Sequence, residues 1–112
     1  METKDLGKTS TGMQANVAAL LCYLVGWITG LIFYLIEKEN KFVRFHAFQS
    51  LATFGGLMVL TIVLTFIPVV GWMLIPVVYI LELVLWILLM VKAYQGEKFK
   101  LPITGEMAEK NA

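Results

Sequence analysis

Hydrophobic residues fall into two long runs, separated by one short polar segment. The first run covers residues 16–36, and a helix of that length rises roughly 32 Å, matching a hydrocarbon core of about 30 Å. Within lipid a helix satisfies its own backbone hydrogen bonds, whereas an open strand does not. The pattern predicts a membrane-spanning helix over 16–36.

The second run, from Ala47 to Val91, is too long for one span of about 20 residues. Its only central Pro–Gly cluster is 67–72, and proline and glycine both favour a helix break. We therefore expect a second span over 47–67 and a third over 72–93, joined by a short hairpin. In the alternative, the prolines kink helices within a differently divided region.

The polar segment 37–46 and the two tails complete the predicted organisation. Phe42, Phe45 and Phe48 recur at three-residue steps with cations among them, which favours a helical turn lying in the membrane interface. Residues 1–15 form a polar N-terminal tail, 16–93 the membrane domain, and 94–112 a C-terminal tail. In that tail Phe99, Leu101 and Ile103 are expected to graze the membrane surface, with disorder after Gly105.

Composition agrees with a membrane protein and excludes several function classes. Hydrophobic residues make up 59% and charged residues 15%, against roughly 45–50% and 25% in soluble domains. The predicted fold is all-α, an integral membrane bundle of three transmembrane helices with a cytoplasmic interfacial turn before the second. The run 16–36 is too long for a cleaved signal core and is expected to be retained. With a net charge of +1, no basic face for nucleic acid is expected.

Catalytic and metal-binding motifs are missing from the sequence. A single cysteine and a single histidine cannot build a disulfide framework or a histidine-based metal site. We expect a protein that is not an enzyme and that needs no cofactor or metal.

The distribution of lysine and arginine predicts the orientation. In a three-span arrangement, Lys4 and Lys8 lie on one side, whereas the other seven basic residues lie in the 37–46 loop, at Lys92 and in the C-terminal tail. Basic residues favour the cytoplasmic side. The N-terminus is therefore predicted outside and the C-terminus in the cytoplasm, in the cell membrane.

Glu82 is the most unusual residue of the apolar runs. Its position near the middle of the third span places it close to the bilayer midplane, where a carboxyl group costs about 2.5–3.5 kcal/mol. One interpretation is functional, namely proton coupling or binding of a cation. The other is structural, an interhelical hydrogen bond to a hydroxyl such as Thr29 or Thr61.

Two further groups of residues are candidates for contacts. Arg44, His46 and Gln49 lie at the cytoplasmic mouth of the second span, where they suit a lipid phosphate or a partner, or merely anchoring. Small residues four positions apart allow another helix to approach closely. The pairs with this spacing are Gly26/Gly30 and Ala52/Gly56.

Parts of the chain resemble a known family. The stretches are 16–24, 26–30 and 37–50, of which 42–50 (Phe-Val-Arg-Phe-His-Ala-Phe-Gln-Ser) is the most distinctive. They resemble small prokaryotic membrane proteins of unknown function that are related to the Tic20-like component of chloroplast protein import. The resemblance covers about 16–95, and it implies a membrane protein with a possible link to assembly or translocation. The plastid proteins are usually described with four spans.

Two functional hypotheses follow. The first is a non-enzymatic protein that acts through helix–helix association in the lipid bilayer, with itself or with other membrane proteins. The second is a small oligomeric transporter coupled to protons or cations through Glu82.

Overall fold

The computed structural model describes residues 9–10 and 12–112. In this part the chain forms five α-helices: α1 Ala15–Leu24, α2 Trp27–Ile36, α3 Lys41–Thr65, α4 Val70–Tyr94 and α5 Thr104–Asn111. The predicted all-α class is confirmed. Two helices, α3 and α4, are long and apolar enough to cross a membrane, and each has 25 residues.

Helices α3 and α4 form an antiparallel hairpin. Helix α3 begins where the side chain of Asn40 accepts a hydrogen bond from the backbone N–H of Val43 at 3.0 Å, a typical N-cap. The hairpin closes through 66–69, as the Pro–Gly cluster predicts. Gly71 is required there because a Cβ at this position would collide with the carbonyl oxygen of Leu64. Helix α3 starts before the predicted residue 47, and α4 begins within the predicted turn.

Helices α1 and α2 form a second hairpin instead of one continuous helix. The chain reverses at Gly26, which has a φ of 62° that suits glycine. The backbone N–H of Ser10 donates to Glu37 Oε2 at 2.8 Å, so the residues before α1 and after α2 meet at one end. Each helix has ten residues and rises about 15 Å, half a hydrocarbon core. The single span predicted over 16–36 is therefore wrong.

The α1–α2 hairpin packs against the half of the α3–α4 hairpin that contains the start of α3 and the end of α4. We call this the upper half, and the half that contains the 66–69 turn is the lower half. Helix α1 runs antiparallel to α4, because Asn16 Nδ2 donates to the Tyr94 carbonyl and Trp86 Nε1 donates to the Tyr23 carbonyl. The Gly26 reversal thus lies beside the middle of α3 and α4. Beyond it, the lower half of the α3–α4 hairpin has no other helix beside it among the described residues.

This arrangement corrects two further predictions. The residues before α1, the 37–40 loop and the segment after α4 share one end of the molecule, so the tail predicted on the opposite side from the loop is wrongly placed. Phe42 and Phe45 are 7% and 0% exposed, so they belong to the protein core instead of an interfacial turn. The predicted tail residues 1–8 and 11 lie outside the described part.

The C-terminal segment is ordered. Residues 97–101, the C-terminal strap, run extended along α3, and α5 then packs back against α3. Leu101 is 9% exposed and Phe99 packs on the core, whereas Ile103 is exposed. Tyr34 Oη donates to the Asn111 carbonyl at 2.7 Å and fixes the end of α5. The predicted disorder after Gly105 is therefore wrong.

Candidate functional site

A buried polar network joins α1, α3 and the C-terminal strap. Tyr23 Oη donates to His46 Nδ1 at 2.6 Å, and His46 Nε2 then donates to the Glu97 carbonyl at 2.9 Å. This assignment follows because a carbonyl can only accept, which places the histidine proton on Nε2. All three side-chain groups of this network, from Tyr23, His46 and Gln49, are 0% exposed.

Gln49 connects the network to the strap through hydrogen bonds to the strap backbone. Its Nε2 donates to Tyr23 Oη at 3.0 Å and to the Phe99 carbonyl at 2.9 Å. Its Oε1 accepts from the backbone N–H of Leu101 at 3.0 Å. The carboxamide therefore satisfies a carbonyl and an N–H two residues apart, as a neighbouring strand would. Four residues further along α3, Thr53 contacts Thr104 through their hydroxyl groups at 3.0 Å.

Arg44 donates hydrogen bonds to backbone carbonyls at the C-terminal end of α2. Its Nη1 donates to the carbonyls of Tyr34 and Glu37 at 2.9 and 2.7 Å, and its guanidinium lies 4.3 Å from the centre of the Tyr34 ring. The last carbonyls of a helix lack intrahelical donors and carry partial negative charge, so a cation stabilises them. In the structure, Arg44, His46 and Gln49 therefore hold the chain's own groups together. Their contact with a lipid or partner stays a prediction.

Glu37 organises the loop between α2 and α3. Its Oε2 accepts hydrogen bonds from the backbone N–H groups of Ser10, Glu39 and Asn40. Burial raises the pKa of this carboxyl, but the hydrogen bonds outweigh that effect and the pKa of Glu37 lies below its ordinary value. The ionised carboxylate therefore ties the residues before α1 to the start of α3.

The reversal at Gly26 keeps its backbone polar groups bonded. Ser50 Oγ donates to the Gly26 carbonyl at 2.9 Å, and Trp86 Nε1 donates to the Tyr23 carbonyl at 2.6 Å. Thr29 Oγ1 accepts from the backbone N–H of Val25 and donates to the Cys22 carbonyl. Irregular backbone at membrane depth is tolerated only with such partners.

Directly beyond the Gly26 reversal lies a groove, the Glu82 groove, with a volume of about 440 Å³. Its lining comes from α2, α3, α4 and the reversal itself: Gly26, Trp27, Phe54, Met58, Thr61, Ile62, Tyr79 and Glu82. A smaller adjoining cavity adds Leu83 and Trp86. Glu82 belongs to the stripe of α4 that faces α3, since Val78 and Leu89 on the same stripe are buried.

The predicted hydrogen bond from Glu82 to a hydroxyl is absent from the described part of the chain. Thr61 donates instead to the Leu57 carbonyl of its own helix, and Thr29 is used at the reversal. A side-chain hydroxyl within α3 can satisfy the carbonyl four residues earlier at low cost. Glu82 itself forms no hydrogen bond or ion pair with any described residue.

The four small residues have different environments. Gly30 packs against α3, where a Cβ would lie 2.8 Å from the Ala47 carbonyl, and Gly26 forms the reversal. Ala52 and Gly56 line an open groove of about 410 Å³ between α3, α4 and the strap, the Gly56 groove. A Cβ at Gly56 would meet nothing within 4 Å.

Several residues of these sites were not singled out from the sequence. Tyr23, Ser50 and Trp86 lie in apolar runs, where the sequence signals burial but not a hydrogen-bonded partner. Glu37 stands beside Lys38 and Glu39, and a residue among charged neighbours is ordinarily solvated, so these neighbours give no sign that it is buried. Its position directly after an apolar run, three residues before a polar N-cap, is the signal that could have indicated a structural role.

The fold defines a class: a small all-helical protein with two helices that are long and apolar enough to cross a membrane. The chain belongs to the family described as the magnetosome magnetite crystal formation protein family, whose model matches residues 8–108. It is 58% identical over 104 residues to a UPF0132 membrane protein of Methanocaldococcus jannaschii, covering 93% of this chain and 94% of that protein.

Other relatives carry the same description. A UPF0132 membrane protein of Archaeoglobus fulgidus is 52% identical over 97 residues, covering 87% of this chain and 94% of the relative. A second protein of Methanocaldococcus jannaschii is 46% identical over 99 residues, covering 88% and 71% of the two chains. No solved structure matches. The comparisons support a membrane-protein family but no link to the chloroplast import component.

Proposed function

We propose that the protein is a non-enzymatic membrane protein that acts through helix–helix association in the bilayer. The observation that carries this proposal is the unpartnered lower half of the α3–α4 hairpin. Large apolar side chains there are 51–71% exposed, among them Val59, Ile62, Met73 and Ile80. Such a surface needs lipid or another apolar surface to cover it.

The proposed topology has two spans and one half-span hairpin. Helices α3 and α4 cross the bilayer, while α1 and α2 enter from one side and return at Gly26. All described basic residues lie toward the end opposite the 66–69 turn, which carries no charge. The positive-inside rule therefore favours a cytoplasmic location for that end, including the segment before α1.

The Gly56 groove is the proposed association face. Ala52 and Gly56 leave it shallow, and small residues permit close approach of another helix. The partner is a second copy or another membrane protein. The family's description in terms of magnetite crystal formation is compatible with a role in organising a membrane, and it gives the proposal its biological setting.

Energy transfer between fluorescently labelled copies in liposomes tests this proposal. Gly56→Leu places a bulky side chain in the groove, where the Cβ itself would meet no atom within 4 Å, and we expect it to weaken association about tenfold, equivalent to about 1.4 kcal/mol. Ile28→Phe is the control, because Ile28 is an exposed apolar residue of α2 that does not line the Gly56 groove. Equal energy transfer for both variants would contradict the proposed face. Loss of the signal on lipid dilution of the wild type would contradict association itself.

A second candidate function is supported by the Glu82 groove. A carboxyl group without a described partner in an apolar segment costs about 2.5–3.5 kcal/mol, which favours a functional use such as cation- or proton-coupled transport. Flux assays in liposomes distinguish the two functions. If Glu82→Gln abolishes flux and leaves energy transfer unchanged, transport is favoured; if no flux occurs above protein-free liposomes, transport is excluded.

A further inference from the structure

Two unpaired polar groups and four aromatic side chains line the Glu82 groove and its adjoining cavity. Glu82 and Tyr79 both line it, and neither forms a hydrogen bond with a described residue. The rings of Trp27, Phe54 and Trp86 complete the aromatic wall. A carboxylate and aromatic rings that line the same groove, at the middle of a membrane-length hairpin, favour an organic cation as the ligand.

We propose that the Glu82 groove binds an organic ammonium ion, that is, a protonated tertiary amine or a quaternary ammonium ion that partitions into the membrane. Aromatic faces attract such cations through the ring quadrupole, and a carboxylate supplies the opposite charge. Both contributions grow when water is excluded. The proposal is independent of the association function and deepens the transport candidate by naming the class of cation.

The groove suits an organic cation better than a metal ion. Hard cations such as Ca²⁺ take six to eight oxygen ligands, and Mg²⁺ takes six. The groove offers the Glu82 carboxylate and the hydroxyls of Tyr79 and Thr61, of which Thr61 already donates within α3. The described residues contain no group of three or more side chains suited to a metal ion. A volume of about 440 Å³ is far larger than a desolvated metal ion and falls in the usual range for small organic ligands.

Part of the aromatic wall is held in place without a ligand. The indole of Trp86 is fixed by its hydrogen bond to the Tyr23 carbonyl at 2.6 Å. The ring of Phe54 packs edge-on against Tyr23, with centroids 6.4 Å apart. Rings that are already fixed lose little conformational entropy when a ligand binds, which lowers the cost of binding.

Tryptophan fluorescence of the full chain in lipid nanodiscs tests the site with tetrapropylammonium as the probe. Two of the three tryptophans, Trp27 and Trp86, line the groove or its adjoining cavity. We expect a saturable change in the wild type and an affinity about tenfold lower in Glu82→Gln. Glu106→Gln, an exposed substitution on α5, is the matched control and is expected to bind like the wild type.

The remaining variants separate the contributions of charge and rings. Tyr79→Leu keeps the carboxylate and removes one ring, and a weaker affinity for the probe is expected. This variant also carries the test if Glu82→Gln does not fold. Saturable binding that is equal in wild type, Glu82→Gln and Tyr79→Leu would overturn the proposal, as would no saturable binding by the wild type. Displacement of the probe by potassium chloride but not by sodium gluconate at equal ionic strength would assign the site to an inorganic ion and also overturn it.

Energy transfer between labelled copies is measured on the same variants. Unchanged association together with lost probe binding shows that the two properties are separate. Absence of energy transfer in the wild type, together with saturable probe binding that depends on Glu82, would contradict the proposed function while leaving the ammonium site standing.

Discussion

Replacing Gln49 with leucine is expected to release the C-terminal strap from α3. The side chain is fully buried and forms three hydrogen bonds, two of them with strap backbone. Leucine has similar size but neither a donor nor an acceptor. The Phe99 carbonyl and the Leu101 N–H then have no partner as long as the strap stays docked.

The free-energy cost of the substitution follows from these two backbone groups without partners. Each buried polar group left unsatisfied costs about 1–3 kcal/mol, so the docked strap loses roughly 2–6 kcal/mol. The strap can avoid the larger cost by detaching into water. Taking the lower bound of about 2 kcal/mol, the equilibrium for strap opening shifts about 30-fold.

Trypsin cleavage after Lys98 and Lys100 measures this opening, because both lysines flank the backbone that Gln49 holds. When opening and closing are fast, the cleavage rate follows the open population, so Gln49→Leu is expected to be cut about 30-fold faster than the wild type. Gln14→Leu is the control, since Gln14 is exposed before α1. Cleavage of Gln49→Leu at the rate of this control would refute the role assigned to the network.

The remaining predictions concern helix packing and the loop. Gly30→Leu is expected to lower the unfolding free energy by about 1–3 kcal/mol, because even a Cβ at this position would lie 2.8 Å from the Ala47 carbonyl. Gly56→Ala is the control and should keep a melting temperature near that of the wild type. Equal melting temperatures for Gly30→Leu and the wild type would contradict the packing of Gly30 against α3. Asn40→Ala is expected to cost about 1 kcal/mol through loss of the α3 cap, and an unchanged denaturation midpoint would argue against that cap. Glu37 has a folded pKa below its ordinary value of 4.5, so its stabilisation is present above pH 4.5 and disappears as pH falls through the folded pKa. Glu37→Gln should therefore flatten the acid limb of the melting temperature against pH, and a limb identical to the wild type would contradict this account.

The two long helices could be predicted because apolar length and a Pro–Gly break are local properties. The hairpin α1–α2 could not, since a 21-residue apolar helix and two antiparallel half-helices have the same hydropathy. What decides between them is whether the backbone at Gly26 finds partners. Those partners, Ser50 and Trp86, come from distant helices, and hydropathy carries no information about them.

In the candidate sites too, local sequence features could be predicted and contacts between distant segments could not. Glu82 stands out from sequence because a charge in an apolar run is anomalous anywhere. His46 and Gln49 hydrogen-bond to strap residues about 50 positions later in the chain. The alternation of Phe99 and Leu101 with lysines indicates that this segment is extended, but it does not indicate that the segment packs on α3. Local pattern identifies the unusual residue, whereas its partner is set by the tertiary fold.

The half-length hairpin has a consequence for how the chain enters a membrane. In the proposed topology, only the segment 66–69 must be carried to the far side, and it contains Phe66, Ile67, Pro68 and Val69 without a charge. Moving an apolar turn through hydrocarbon avoids the cost that a charged or long polar loop would incur. In this topology, insertion of residues 12–112 from the cytoplasmic face therefore transfers no charged segment to the far side, and the Gly26 reversal never has to leave the leaflet that it enters.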